Sequence, residues 1–341
     1  MSFLVISLRG IPLTKSLGII NFHRNLFICC GINFILRMYS KNICHKNRKI
    51  CYNWNVVVVF ERDIMVFANI FKKISRILLL LFISCTLISG YMFLEPYWLT
   101  VKNVKIKDRD IPDSFNGKKI VFVSDIHHGD HFSRERLSKL VERINSLGPD
   151  IILLGGDFIG KGSHYIKPCF EELKKLEAPL GKYGVLGNHD YYRRGEIVRE
   201  NMRKAGITVL DNDACWIVYG GGRIKVGGVG DYYHSNQQLE PTIEDAREED
   251  FVILLSHNPD YAEKIRNYKV DIVLSGHTHG GQVTFFGLWA PYIPSGYGQK
   301  YRYGMVETEY TKVYVTSGVG CTGYPVRLFA RPEICVMELV N

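Results

Sequence analysis

Beyond about residue 100 the chain alternates short apolar runs with stretches whose apolar residues recur every three or four positions. The run 119–125 (KIVFVSD) has no polar face, the pattern of a strand buried on both sides. In 133–147, Leu137, Leu140, Val141, Ile144 and Leu147 fall at helical spacing behind Ser133 as a cap, and Gly148-Pro149 stops the pattern. The same logic predicts strands at 150–157, 183–187, 251–256, 270–275, 312–316 and 334–339. It predicts helices near 167–176, 196–205 and 258–266, and shorter β-rich pieces at 207–210, 215–219 and 223–229. Strands alternating with helices and hairpin-like pieces imply an α/β fold, a two-sheet sandwich flanked by helices. Residues 285–305, rich in Gly, Tyr and Pro, read as one long surface loop of the kind that carries function.

Upstream the pattern changes. Residues 77–94 (ILLLLFISCTLISGYMFL) are 18 positions without a charge, preceded by Lys72, Lys73 and Arg76. As a helix they reach about 27 Å, enough to cross a hydrocarbon core, so an N-terminal transmembrane helix is predicted. The cationic flank places the N-terminus in the cytoplasm and favours an extracytoplasmic body on a single-pass anchor. Residues 1–64 show no amphipathic period, whereas Met65 begins a stretch that would serve alone as the lead-in of a signal anchor. The expected organisation is an extension over 1–64 (an over-extended start or disordered, with Met65 the natural beginning), an anchor over 65–98 and a catalytic domain over 99–341.

The formal charge of +9 first suggests a nucleic-acid partner, but its distribution removes the suggestion. Residues 1–76 hold 12 Lys and Arg against Glu61 and Asp63; the remaining 31 basic residues meet 32 acidic ones. No basic groove is left for a phosphate backbone, so no nucleic acid is expected. The nine cysteines include no C-x-x-C pair, and Cys44, His45 and Cys51 lack a second pair of ligands for zinc.

Five predicted strand ends run straight into polar residues able to bind metal. They are Asp125-Ile126-His127, Gly155-Gly156-Asp157, Gly187-Asn188-His189-Asp190, Ser256-His257 and Gly276-His277-Thr278-His279. Ligands gather at the carboxyl ends of strands in α/β sheets, so the five sets are expected on one rim. Glycine lets the backbone turn sharply and approach an ion closely.

In this ordered set, D-x-H, G-D, G-N-H-D, H and G-H-x-H, the chain resembles the calcineurin-like metallophosphoesterase superfamily over roughly residues 119–340. The contexts SDIHHG, LLSHNPD and SGHTHGGQ are similar to its YkuE-like, membrane-associated branch. The resemblance implies a two-metal site: Asp125, His127 and His279 on one ion, Asn188, His257 and His277 on the other, and Asp157 bridging them. It implies hydrolysis of a phosphodiester or pyrophosphate bond by a metal-bridging hydroxide. Two carboxylates among seven donors leave the ions net positive towards a phosphate oxygen. Mixed N/O ligation favours Mn2+, with Fe or Zn2+ also suited. His189 would donate a hydrogen bond or proton to the phosphoryl or leaving-group oxygen, oriented by Asp190. The implied substrate is a small-molecule or lipid-linked phosphate, of the UDP-2,3-diacylglucosamine type by family analogy. Arg193, Arg194 and Arg327 are further candidates to grip a phosphate. His128 stays open between ligand, substrate contact and bystander.

Overall fold

The computed structural model describes residues 61–192 and 194–341, with side chains from Phe67 onward, besides short strands among the first sixty positions such as Ile35–Ser40 paired antiparallel with Trp54–Val59. Cys44, His45, Cys51 and Arg193 lie outside the described residues. The chain forms two compact units, Met1–Leu87 and Ile88–Asn341.

Helix α1, Glu61–Leu94, contains the predicted apolar span; its stretch from Phe67 has a mean hydropathy of 2.3 and none of that window is buried. The body then runs through β1 (Thr100–Lys107), β2 (Lys119–Val123), α2 (Arg134–Ser146), β3 (Ile151–Leu154), α3 (Ile166–Leu173), β4 (Lys182–Gly184), α4 (Asn188–Tyr192), α5 (Gly195–Lys204) and β5 (Thr208–Val209). It continues with β6 (Asp213–Tyr219), β7 (Gly222–Gly228), β8 (Val252–Leu255), β9 (Ile272–Ser275), β10 (Gly304–Glu307), β11 (Lys312–Val315) and β12 (Glu333–Val340).

These strands make two six-stranded mixed sheets, in the orders β5-β4-β3-β2-β12-β1 and β6-β7-β8-β9-β11-β10. The runs β2-β3-β4-β5 and β7-β8-β9-β11 are parallel throughout. The apolar runs explain the layering. On β2, Val121 and Val123 pack into a core with Leu137, Leu140 and Ile144 of α2, while Ile120 and Phe122 enter the core between the sheets. β8 does the same in mirror fashion, with Ile253 and Leu255 facing the other sheet and Leu254 the outer core around Tyr261 and Ile265. A strand apolar at every position is thus buried on both faces, each such side chain contributing about 1.5–3 kcal/mol. Ser133 caps α2 by accepting from the Arg136 N–H, as its place before the apolar period predicts.

Two expectations give way. Residues 258–266 form no α-helix: Pro259–Lys264 is a run of 3-10 turns that Asn258 caps by accepting from the Asp260 N–H. The predicted loop 285–305 ends inside edge strand β10.

The junction after α1 is held from within the body. Glu95 is fully buried, and its two carboxylate oxygens accept from the backbone N–H of Phe329 and Ala330, each at 2.8 Å. The Arg327 N–H donates to the Met92 carbonyl at 3.0 Å.

Candidate metal centre

Each donor-bearing segment begins after the end of a parallel strand. Asp125 and His127 follow β2, Asp157 follows β3, Asn188 opens α4 after β4, His257 follows β8, and His277 and His279 follow β9. The chain turns abruptly at these points. Asp125, His127, Asp157, His277 and His279 all hold positive φ, between 48° and 66°. Such backbone costs a non-glycine residue about 1–3 kcal/mol, so the core on both sides of the strands must hold it in place. Close approach fixes two glycines. A Cβ on Gly187 would lie 2.2 Å from Asp157 Oδ1, and one on Gly276 would lie 2.2 Å from Asp125 Oδ2.

The turns bring the donors together from across the sequence. Nε2 of His127 and Nε2 of His279 are 3.1 Å apart, and His279 Nε2 is 3.4 Å from Asp125 Oδ1. Asp157 Oδ2 lies 3.5 Å from His127 Nε2 and 3.3 Å from His257 Nε2. It therefore sits between two groups of donors. His257 Nδ1 donates to the Gly155 carbonyl at 2.8 Å, which turns its Nε2 towards Asp157 and towards Asn188 Oδ1 at 3.2 Å. His277 donates its backbone N–H to both Asp125 oxygens, and its imidazole packs at 5.1 Å, ring centroid to ring centroid, on His257. Its buried Nε2 has no hydrogen-bond partner among the described residues.

Burial pushes the His127 and His277 imidazoles down to about 3, leaving both neutral at physiological pH. Burial acts the same way on His257, but the Asp157 and Asp125 carboxylates outweigh it and hold the ring up at about 10. Asp125 is pushed up to about 6 by burial, whereas Asp157, though equally buried, is held well below the carboxylate range by His257 and His127. Two buried carboxylates draw positive charge inward, which His257 answers with its proton while burial keeps His127, His277 and His279 neutral. A divalent cation meets that demand, and the donor set fits: Asp125, His127 and His279 offer one triad of atoms within 4.8 Å of one another, and Asp125, Asp157 and His257 another.

A family model, calcineurin-like phosphoesterase, matches residues 118–281. The chain is 38% identical over 257 residues to the metallophosphoesterase YkuE of Bacillus subtilis, covering 73% of this chain and 89% of that protein. This chain belongs to the calcineurin-like phosphoesterase family. It is a metal-dependent phosphoesterase, and members of the family use two metal ions. The phosphodiesterase YaeI of Escherichia coli is 31% identical over 259 residues, 74% of this chain and 92% of that protein. A zebrafish (Danio rerio) transmembrane protein with a metallophosphoesterase domain is 32% identical over 247 residues, which is 69% of this phosphoesterase but 56% of the longer relative.

The remaining residues of the phosphoesterase site fall into place unevenly. His189 is half-buried; its N–H donates to Asp157 Oδ1 at 2.8 Å and its ring lies 4.7 Å, centroid to centroid, from that of His127. One His189 ring nitrogen also makes a third triad with His127 and Asp157, so it stands at the edge of the donor cluster. Asp190 binds backbone. Its fully buried carboxylate accepts from the N–H groups of Phe158, Ile159 and Gly187, tying the β4 turn to the β3 turn. Sequence reading missed this clasp, since nothing in G-N-H-D distinguishes a ring-orienting carboxylate from one that binds backbone. His128 points away from the cluster, with Nδ1 on the Phe132 carbonyl and its ring against Tyr165.

Arg327 is no substrate contact either. It is wholly buried and donates to the carbonyls of Ala330, Ser317, Gly318 and Gly320. Gly320 in turn donates to the Asp125 carbonyl, so the guanidinium braces the wall behind the first donor triad. Arg194 is exposed. A small cavity of about 90 Å³ opens beside His127 and His189, walled by Asp130, His131, Lys161 and the segment 321–323.

Proposed function

We propose that this phosphoesterase cleaves phosphodiester or pyrophosphate bonds at a membrane, with Asp125, His127 and His279 holding one divalent cation, Asn188, His257 and His277 a second, and Asp157 between them. The observation that carries the reading is the position of Asp157 Oδ2, within 3.5 Å of an imidazole from each group. Bound there, two divalent ions supply Lewis acidity and a water acidified towards neutral pH. Mn2+ suits the donor set, with Fe or Zn2+ as alternatives.

The chain's own residues orient and protonate. Gly155, through its carbonyl, fixes the His257 ring, and the His277 and His189 backbone N–H groups fix the Asp125 and Asp157 carboxylates. His189, half-exposed at the mouth of the small cavity, hydrogen-bonds the phosphoryl or leaving-group oxygen and gives up a proton there. The long apolar helix and the transmembrane-named relative support an anchor. An anchor suits a lipid-linked phosphate such as a UDP-2,3-diacylglucosamine, because it turns a search in three dimensions into one over a surface. The near-neutral body supports a small substrate over a nucleic acid.

The test is turnover of bis(nitrophenyl) phosphate, a nucleotide-sugar lipid, a monoester and DNA by protein reconstituted with Mn2+. Diester or pyrophosphate cleavage should exceed the rest and vanish in Asp157→Ala. Diester turnover that survives in Asp157→Ala would refute the bridging assignment.

A further inference from the structure

The chain 283–293 leaves the metal centre as an ordered hairpin whose tip is almost entirely apolar. The Gln282 N–H donates to the carbonyl of His279, Val283 bridges to Leu328, and Thr284 donates its hydroxyl and its N–H to the Leu328 carbonyl. Phe285 and Trp289 close the hairpin through an N–H to carbonyl bond of 2.6 Å, with Gly287 at positive φ in the turn. The backbone is therefore tied at several points, yet the side chains it presents lie open: Phe285 67%, Phe286 65%, Leu288 79% and Tyr292 73% exposed. Large apolar side chains grouped on a rigid tip mark a contact surface.

What covers them is indicated by the rings beside them. Phe286 stacks on Phe329 at 5.3 Å, Phe329 meets Tyr91 at 5.7 Å, and Tyr91 meets Trp98 edge-on at 5.4 Å. Tyr91 belongs to the last turn of the apolar helix α1. Aromatic surface thus runs without a break from the end of the candidate membrane span to the hairpin tip. Arg331 lies over Trp98 at 5.4 Å, a cation at the edge of the aromatic belt. Tyr and Trp beside a spanning helix, with a cation at their rim, are the composition that settles at the head-group level of a bilayer.

We infer that the hairpin Phe285–Tyr292 is a second membrane contact, inserting its aromatic tip into the lipid head-group and upper acyl region beside the anchor helix. The inference rests on the reading of α1 as an anchor, and it adds a function to the loop. Because the hairpin begins six residues after His279, docking holds the metal centre close to the lipid surface. Gln282, at the root of the hairpin, also donates to the carbonyls of Thr322 and Tyr324, one of which belongs to the cavity wall beside His189. The partner is therefore the lipid surface itself, and the expected beneficiary is a substrate that resides there.

The full-length chain is reconstituted into phosphatidylcholine–phosphatidylglycerol vesicles, plain or with bromine on the upper acyl carbons, and floated on a density gradient. Tryptophan emission is compared between wild type and Trp289→Phe, so that the difference isolates Trp289 among the four tryptophans. Bromine quenches only on contact. Trp289 emission should fall about twofold or more in brominated vesicles and resist aqueous acrylamide, as an interfacial ring does. Trp289 quenched by acrylamide and untouched by bromine overturns the docking while leaving the anchor in place. Protection from both quenchers assigns the tip to another protein or a second copy, and overturns it too. A chain that fails to float with the vesicles overturns the anchor and the docking together.

Discussion

Gly276 shows how little room the donor atoms have. A methyl group there would sit 2.1 Å from Ser124 Oγ and 2.2 Å from Asp125 Oδ2, and neither atom is the far end of a flexible chain. Gly276→Ala must therefore displace the Asp125 carboxylate and Ser124. We expect a folded protein by circular dichroism whose metal-dependent turnover falls on the order of 100-fold, the penalty of an ångström-scale misplacement at a reacting centre. Unchanged turnover would show that Asp125 can shift without consequence. The convergence of these residues was legible in the sequence, because five metal-capable clusters at five strand ends form an ordered pattern. Their helpers were not. Asp190 and Arg327 act by binding backbone carbonyls and amides of distant turns, and a residue's backbone partners leave no spacing to read.

At the scale of elements, the strands buried on both faces were legible because three or four consecutive positions are apolar, as in β2, β3, β8 and β9. β1 was not. Its sequence TVKNVKIK carries three lysines and only Ile106 is fully buried. It forms because β12, more than 200 residues later, supplies eight paired positions from Thr100↔Glu333 to Lys107↔Val340. The 317–330 segment depends on a single side chain in a comparable way. Arg327→Ala would remove donors to four buried carbonyls at once, of which Gly318 alone keeps another partner among the described residues, the Glu333 N–H, and unsatisfied buried acceptors cost on the order of 1–3 kcal/mol each. We expect a loss of about 3 kcal/mol or more in urea unfolding. Arg327→Lys should recover part of it, since an ammonium supplies fewer donors from one point.

For the whole molecule, the rim opposite the metal centre sets a pH dependence. Asp271, at the start of β9, is pushed up to about 7 by burial and by the nearby Asp108 and Asp110 carboxylates, against the Val252 N–H that it accepts. Its ordinary value is 3.8. Between those values the folded chain keeps a proton that the unfolded chain has released, so this contribution is complete at low pH and is lost as pH rises through 7. Asp271→Asn keeps an acceptor for Val252 and removes the titration. Its melting temperature should gain a few degrees on wild type at pH about 8, with the gain shrinking towards pH about 4. A difference that is flat with pH would mean Asp271 titrates normally.

The carboxylate of Glu95 and the carbonyl of Met92 grip the strap 327–330 at three points, immediately after the last turn of α1. A hinge would need free backbone there, and these three bonds tie it to the strap. Within Ile88–Asn341 that turn is fastened to the body rather than strung from it. Its mouth keeps one bearing relative to the turn, and a rotation imposed on residues 88–94 reaches the strap as torque rather than being absorbed in a linker.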